Sequence, residues 1–246
     1  MKIIEFLKLK YRASKYKYKL DKGEIAYINS TIKSGQTVLD IGAHKAGYLF
    51  IMLKKVGKNG KIHAFEPQIN LFSYITKIKN LFNWNNVTVQ HLALSNVKGK
   101  VDLLIPITNA KETSSPGASI VQGKEKTEFG RVESVNTETL DVYCKTHNLS
   151  PSFLKVDVEG NELEVFEGGI EMLKKHKPTI IVEIEERHIG KEKVFKTFEF
   201  LKSLGYKGHF FKGIERLPLE DFNIEMHQNR SEMKQYCNNF TFEGQL

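Results

Sequence analysis

Two acidic residues bracket a glycine-bearing turn near the start of this chain, at the spacing of a nucleoside pocket. Asp40 closes the apolar run Val38-Leu39, and Ile41-Gly42-Ala43-His44-Lys45-Ala46-Gly47 follows it. Glu66 ends the next apolar run, Ile62-His63-Ala64-Phe65, stands 24 positions after Gly42, and is followed by Pro67. An open α/β sheet puts such residues at the carboxyl ends of neighbouring strands, where an acidic side chain accepts hydrogen bonds from ribose hydroxyls.

The turn sorts the possible ligands. A dinucleotide pyrophosphate is bound by G-x-G-x-x-G at a helix N-terminus. Here a carboxylate precedes the first glycine, and two like charges a few ångströms apart cost several kcal/mol at low effective dielectric. Asp40 therefore suits a cationic or ammonium-bearing ligand. S-adenosylmethionine, a sulfonium with an amino-acid tail, fits that description. The alternative makes Asp40 a helix cap and Gly42 a plain turn glycine, but it leaves Glu66 without a role.

A second acidic group lies in Lys155-Val156-Asp157-Val158-Glu159-Gly160. Lys155, Asp157 and Glu159 alternate, so they share one face of a regular strand. A buried sheet seldom holds three charges on one face, and the later ones are expected at an open rim. Asp157 is the first catalytic candidate, facing cofactor and acceptor. Glu159 is the second, with capping of the next helix as its alternative role. Glu183 and Glu185 share a face at the end of the following strand. His188, close behind, is a third candidate base suited to neutral pH, or else an exposed loop histidine. Lys155 either pairs with Asp157 or holds an anionic substrate. A group carried on a sulfonium is already activated, so its transfer needs alignment above all; a base that removes an acceptor's proton adds roughly a hundred- to ten-thousand-fold. Asp157, Glu183 and Glu185 are oxygen ligands of the kind magnesium takes, but nothing in their spacing makes three converge, and no metal is expected.

These residues need a frame. Residues 1–34 read as a helical lead-in, with Ile25, Ile28 and Ile32 at helical spacing. Residues 35–218 form the main domain, and residues 219–246 read as a tail or peripheral strands. Strands are expected over 37–41, 61–66, 87–92, 153–160, 179–185 and 205–211. Helices are expected over 47–55, 69–82, 163–173 and 194–204. A hairpin-like strand covers 100–105, with a short strand at 132–135 and a short helix at 139–147. The Pro-, Ser- and Gly-bearing stretch 106–128 reads as a functional lid or a disordered segment. Alternating strands and helices give a parallel sheet covered on both faces, with its ligand crevice between the ends of strands one and four.

The chain has 246 residues, 40% of them apolar and 27% charged, which suits one large domain with short additions. No run approaches the roughly 20 apolar residues of a membrane span, and the N-terminus does not read as a signal peptide. Cys144 and Cys237 lie far apart, so a disulfide framework is not expected and a reducing cytoplasm is the default. The net charge is +8. Much of it lies in Lys8, Lys10, Arg12, Lys15, Lys17, Lys19 and Lys22, interleaved with Tyr11, Tyr16 and Tyr18. Such a segment tracks nucleic acid, lies on an anionic membrane, or is a solvated arm.

Together, Asp40-Ile41-Gly42-Ala43, Phe65-Glu66-Pro67, Leu92-Ala93-Leu94-Ser95, Lys155-Val156-Asp157-Val158-Glu159-Gly160 and Val182-Glu183-Ile184 resemble the FkbM-type methyltransferases. These are class I S-adenosylmethionine-dependent enzymes, and the resemblance covers about residues 35–210. It implies a Rossmann-like α/β fold: a seven-stranded, mostly parallel sheet, its last strand antiparallel, with helices on both faces. It implies methyl transfer mostly to hydroxyl oxygens. By the resemblance, Asp40, Gly42, Ala43, His44 and Gly47 line the cofactor's amino-acid end. Glu66, with Pro67 beside it, holds the ribose, Leu92 and Ala93 flank the adenine, and Asp157 faces the cofactor. Leu92 stands where many class I enzymes carry an acid, so adenine contact there is apolar or through the backbone. His44 replaces a commoner asparagine, and Ala46 stands where a second glycine is frequent.

The expected acceptor is a hydroxyl on a small molecule or saccharide. An RNA methyltransferase is the second reading, motivated by the charge. It lacks an N/D-P-P-Y/F motif after strand four and a suitably placed nucleophilic cysteine, so nucleic acid is disfavoured as a partner but stays open. A non-catalytic nucleoside-binding module is the third. Oligomeric state leaves no mark in the sequence.

Overall fold

The computed structural model describes residues 2–106, 117–121 and 130–244. Its strands, in chain order, are β1 (Thr37–Ile41), β2 (Lys61–Phe65), β3 (Val87–Gln90), β4 (Ala93–Leu94), β5 (Gly99–Pro106) and β6 (Ser119–Val121). Then come β7 (Gly130–Glu138), β8 (Phe153–Val156), β9 (Thr179–Glu183), β10 (Tyr206–Lys212), β11 (Glu215–Pro218) and β12 (Asn239–Gly244). The helices are α1 (Lys2–Lys15), α2 (Lys22–Thr31), α3 (Gly47–Val56), α4 (Ile69–Phe82), α5 (Leu140–Thr146), α6 (Glu162–Glu167), α7 (Ile170–His176), α8 (Glu186–Ser203) and α9 (Ile224–His227). A π-helical turn, Tyr16–Leu20, joins α1 to α2.

The apolar runs that end in acids make the middle of the principal sheet, whose order is β11-β10-β12-β9-β8-β1-β2-β3. β1 pairs in parallel with β2 and β8, and β8 with β9. β12 runs antiparallel to both β9 and β10. This is the expected seven-stranded sheet with its last strand reversed, extended by β11, which folds back on β10 as an eighth, edge strand. The tail expected over 219–246 instead carries β12 into the sheet interior, where Phe240, Thr241 and Phe242 are fully buried. Two phenylalanines in a polar stretch are a faint sequence signal; register against β9 and β10 is what buries them.

α1 to α4 cover one face, with Leu9, Ile25, Ile28, Ile32, Met52 and Ile75 in one core. α5 to α8 cover the other, with Leu140, Phe166, Leu173, Val194 and Phe198. The lead-in helices are therefore part of the packed layer, not an arm beside it. The helix expected over 163–173 is two helices, because Gly168 lies against a neighbouring loop. A Cβ there would sit 2.1 Å from the Ser95 carbonyl oxygen. The helix expected from 194 starts earlier, at Glu186, and bends at Gly190.

A second sheet, β4-β7-β5-β6, buries a small cluster around Leu103, Ile105 and Val135. β5 pairs along its length with β7, from Gly99 opposite Thr137 to Pro106 opposite Gly130. The lid expected over 106–128 lies mostly outside the described residues. Among the described residues no helix is long and apolar enough to cross a membrane. Cys144 and Cys237 are both buried and unpaired.

Candidate cofactor and acceptor site

A cavity of about 720 Å³ opens at the carboxyl ends of β1, β2, β8 and β9. Gly42, Ala43, His44, Gly47, Glu66, Pro67, Leu92, Ala93, Asp157 and Glu159 all reach its wall. Asp40 and His188 do not.

The turn after β1 is shaped by backbone hydrogen bonds. The amides of Gly42 and Ala43 both donate to the Phe65 carbonyl, each at 3.0 Å. Gly42 is left-handed, with φ of 84°. A Cβ on it would lie 1.8 Å from the Asp157 carbonyl oxygen, so only glycine fits between the ends of β1 and β8. His44 and Ala46 are left-handed too, at φ of 47° and 61°. Ala46 thus adopts the conformation for which glycine is frequent in this loop, and such strain gathers at binding sites. The Gly47 backbone lies under the Tyr16 ring, 2.4 Å from where a Cβ would project.

Glu66 is buried, and its carboxylate accepts from the His44 amide at 2.8 Å and the Gln68 amide at 2.9 Å. Each oxygen keeps a lone pair for another donor. Burial raises its pKa to about 7. Burial pushes His44 down to about 4, so its imidazole is neutral, and its Nε2 has no partner among the described residues.

Lys155 organises the floor. Its Nζ donates to the Gly42 carbonyl at 2.7 Å and to Asp157 Oδ2 at 3.1 Å. It lies 3.8 Å from Asp40 Oδ1. The register of β1 on β8 sets Asp40 beside Lys155. Asp40 therefore turns into the sheet rather than lining the amino-acid end of the pocket as expected. It is fully buried and accepts no hydrogen bond from the described residues, and burial raises its pKa to about 6 despite Lys155. Burial pulls the Lys155 pKa down, but Asp157 and Asp40 outweigh it and the net shift is upward. Of the two roles read for Lys155, pairing with Asp157 is the one observed.

Four carboxylates face each other across the rim. Asp157 is part-exposed at the end of β8. Glu159 follows in a left-handed turn, with φ of 55°. Its Oε2 meets His188 Nε2 at 3.0 Å, and burial with Asp157 nearby raises its pKa to about 8. Glu162, not Glu159, accepts the Gly160 amide at the start of α6. His188 stands behind Glu159 in the first turn of α8, with Glu185 Oε2 3.8 Å away. Asn238 Nδ2 donates to both Glu183 Oε1 and Glu185 Oε1 at 2.8 Å. Burial and the charges of Asp157 and Glu185 raise Glu183. Burial opposes ionisation of Glu185, but hydrogen bonds from Arg187 and Asn238 prevail and lower its pKa.

Sequence reasoning missed much of the wall. Tyr16, Lys19, Leu20 and Asp21 come from the lead-in, and Arg230, Met233, Tyr236, Asn238 and Asn239 from the last thirty residues. No local motif marks either group; they meet because α1 packs on α3 and β12 enters the sheet.

These pKa directions fix a pH dependence. Glu66 and Asp40 hold protons more tightly folded than unfolded, so stability falls as pH rises from their unfolded values, near 4, through about 7. We expect the ligand-free chain to lose on the order of 1–3 kcal/mol between pH 5 and 8 by urea denaturation. Burial raises Glu24, Glu159 and Glu162 into the same range, so Glu66→Gln is expected to lessen that slope without removing it; a stability that rises over this range contradicts the burial argument.

The order of the sheet and the cavity at its switch point are those of a class I S-adenosylmethionine-dependent methyltransferase. The methyltransferase FkbM domain model matches residues 40–207, and the chain belongs to that family, with S-adenosylmethionine as its cofactor. Among solved structures, an FkbM methyltransferase from Methylobacillus flagellatus is similar at TM-score 0.53 and 13% identity, over 94% of this chain and 53% of that one. The present chain thus spans about half the length of that protein. A provisionally named O-methyltransferase from Klebsiella pneumoniae is similar at TM-score 0.51 and 9% identity, over 97% and 88% of the two chains. A provisionally named rRNA methylase from Clostridium thermocellum is similar at TM-score 0.50 and 16% identity, over 89% and 92%. Among curated proteins no sequence matches this chain.

The residues present fit the cofactor. Gly42 lets the ends of β1 and β8 close together beneath the cavity, and Glu66 offers lone pairs to hydroxyl donors. Asp157 and Glu66 in the lining are acceptors suited to the sulfonium, ammonium and hydroxyl groups of that cofactor.

Proposed function

We propose that this methyltransferase acts on oxygen, methylating a hydroxyl of a small molecule or saccharide. The observation that carries the reading is the rim itself. Glu159, Glu183, Glu185, Asn238 and Asn239 share one wall with Tyr236. Carboxylates and amides are partners for hydroxyl groups, and an aromatic ring supplies a flat apolar surface for a sugar.

The cofactor supplies an activated methyl group on a sulfonium. In this reading Glu66 and Pro67 bind the ribose, while Leu92 and Ala93 flank the adenine. Gly42, Ala43, His44 and Gly47 border the amino-acid end. Asp40 acts at one remove, by holding Lys155, which ties the Gly42 turn to Asp157. Asp157 orients cofactor and acceptor. Glu159 takes the hydroxyl proton onto a carboxylate oxygen. His188 is a positioning residue that fixes Glu159 through Nε2. The buried, unpaired Cys144 and Cys237 accord with a reducing cytoplasm as the place of action.

The test is transfer of labelled methyl from S-adenosylmethionine to saccharides, phenols and RNA, with the product's methylated atom found by NMR. An O-methyl product is expected, with kcat rising to a plateau above about pH 8 as Glu159 ionises. Glu159→Gln is expected to lower kcat roughly a hundred- to ten-thousand-fold and to leave cofactor affinity unchanged. Methyl found on nitrogen, or only on RNA, overturns the reading.

A further inference from the structure

The outer face of α1 is apolar where a solvated helix should be polar. Ile3 is 75% exposed, Ile4 58%, Leu7 58% and Tyr11 71%. At about 100° per residue these four fall within one stripe roughly 100° wide. Lys10 borders the stripe on one side, and Lys15 and Lys8 on the other. The inward face is separately satisfied. Leu9 is buried, Phe6 packs on Phe50 and Phe82, and Glu5 receives Lys8 and Tyr74. Arg12 donates to the Lys45 carbonyl and to Tyr74. So the stripe is not a misplaced core face; α1 already has one.

The charge around the stripe is one-sided. Residues 2–22 hold Lys2, Lys8, Lys10, Arg12, Lys15, Lys17, Lys19 and Lys22 against only Glu5 and Asp21. Among the described residues, Lys10, Lys15, Lys17 and Lys19 have no carboxylate partner. The exposed apolar side chains continue past α1 with Tyr18 at 60% and Leu20 at 55%. Leu20 and Lys19 also line the cavity, so this surface runs to the mouth of the site.

We propose that α1 and the turn after it dock this protein on an anionic phospholipid surface. Ile3, Ile4 and Leu7 enter the acyl boundary, Tyr11 and Tyr18 sit at headgroup level, and the lysines meet lipid phosphates. Aliphatic side chains favour lipid over nucleic acid, which is held by stacking aromatics and arginine. Docking sets the cavity mouth beside the headgroup layer, where a lipid-linked acceptor is within reach. The docking itself does not depend on the acceptor atom or on catalysis.

Vesicle sedimentation of the full chain tests this, with equal phosphatidylcholine and phosphatidylglycerol against phosphatidylcholine alone. The chain is expected to pellet with the anionic vesicles at least roughly tenfold more tightly, and less so as salt rises from about 0.1 to about 0.5 M. The triple variant Ile3→Ser, Leu7→Ser, Tyr11→Ser and the double variant Lys10→Glu, Lys15→Glu are each expected to lose the binding. Both should keep the parent's circular dichroism and cofactor affinity, since these side chains lie outside the core and the site. A parent that stays in the supernatant overturns the proposal, as does a triple variant that pellets like the parent. Dimerisation abolished by the triple variant, without vesicle binding, would assign the stripe to a second copy. RNA binding lost only in the lysine variant, without vesicle binding, would assign the segment to nucleic acid.

Discussion

Gly42→Ala is expected to abolish detectable S-adenosylmethionine binding and to destabilise the fold by about 2–5 kcal/mol. The added methyl would stand 1.8 Å from the Asp157 carbonyl oxygen, which is backbone and cannot swing aside. The φ of 84° adds left-handed strain that alanine tolerates poorly. Relief requires the end of β1 to move away from the end of β8, and that opens the floor of the cavity. It also breaks the Lys155 bond to the Gly42 carbonyl. Urea denaturation and calorimetric titration of the same sample check both parts. An alanine variant with parental stability and affinity would mean that the turn is not rigid.

Lys155→Met carries a comparable effect by another route. Its side chain is 7% exposed, and its ammonium is the cation beside the fully buried Asp40. Removing one partner of a buried pair leaves an uncompensated charge, which costs about 3–5 kcal/mol. The sign with pH is fixed. Without Lys155, Asp40 holds its proton still more tightly than its present value of about 6. The variant's deficit is therefore small at pH 5, where Asp40 is protonated, and full at pH 8. Adding Asp40→Asn is expected to return part of the loss at pH 8. Denaturation curves of both variants at the two pH values decide it; a deficit independent of pH would show that Asp40 is not the group left stranded.

The heart of the site was legible because it is local. Asp40, Gly42 and Glu66 end apolar runs, and Asp157 and Glu159 sit where a strand meets a glycine turn. What local pattern cannot convey is register. The sequence pattern points Asp40 at the ligand, but it lies buried beside Lys155, its neighbour across the strand pair. His188 follows the strand-end acids in sequence like a loop residue, but it stands in a helix behind Glu159, because α8 starts eight residues before the apolar pattern that announces it. The remainder of the wall depends on long-range topology. Tyr16 reaches Gly47 only once α1 packs on α3. Asn238 reaches Glu183 and Glu185 only because β12 pairs with β9.

If the cavity where β1, β2 and β8 end is the cofactor site and Glu66 its ribose anchor, calorimetric titration of S-adenosylmethionine and S-adenosylhomocysteine into the parent and Glu66→Ala will show it. Binding of both ligands by the parent, weakened at least roughly tenfold in the variant by loss of a charged hydrogen-bond acceptor, is the predicted result. Equal affinity in parent and variant, with both proteins folded, would contradict it.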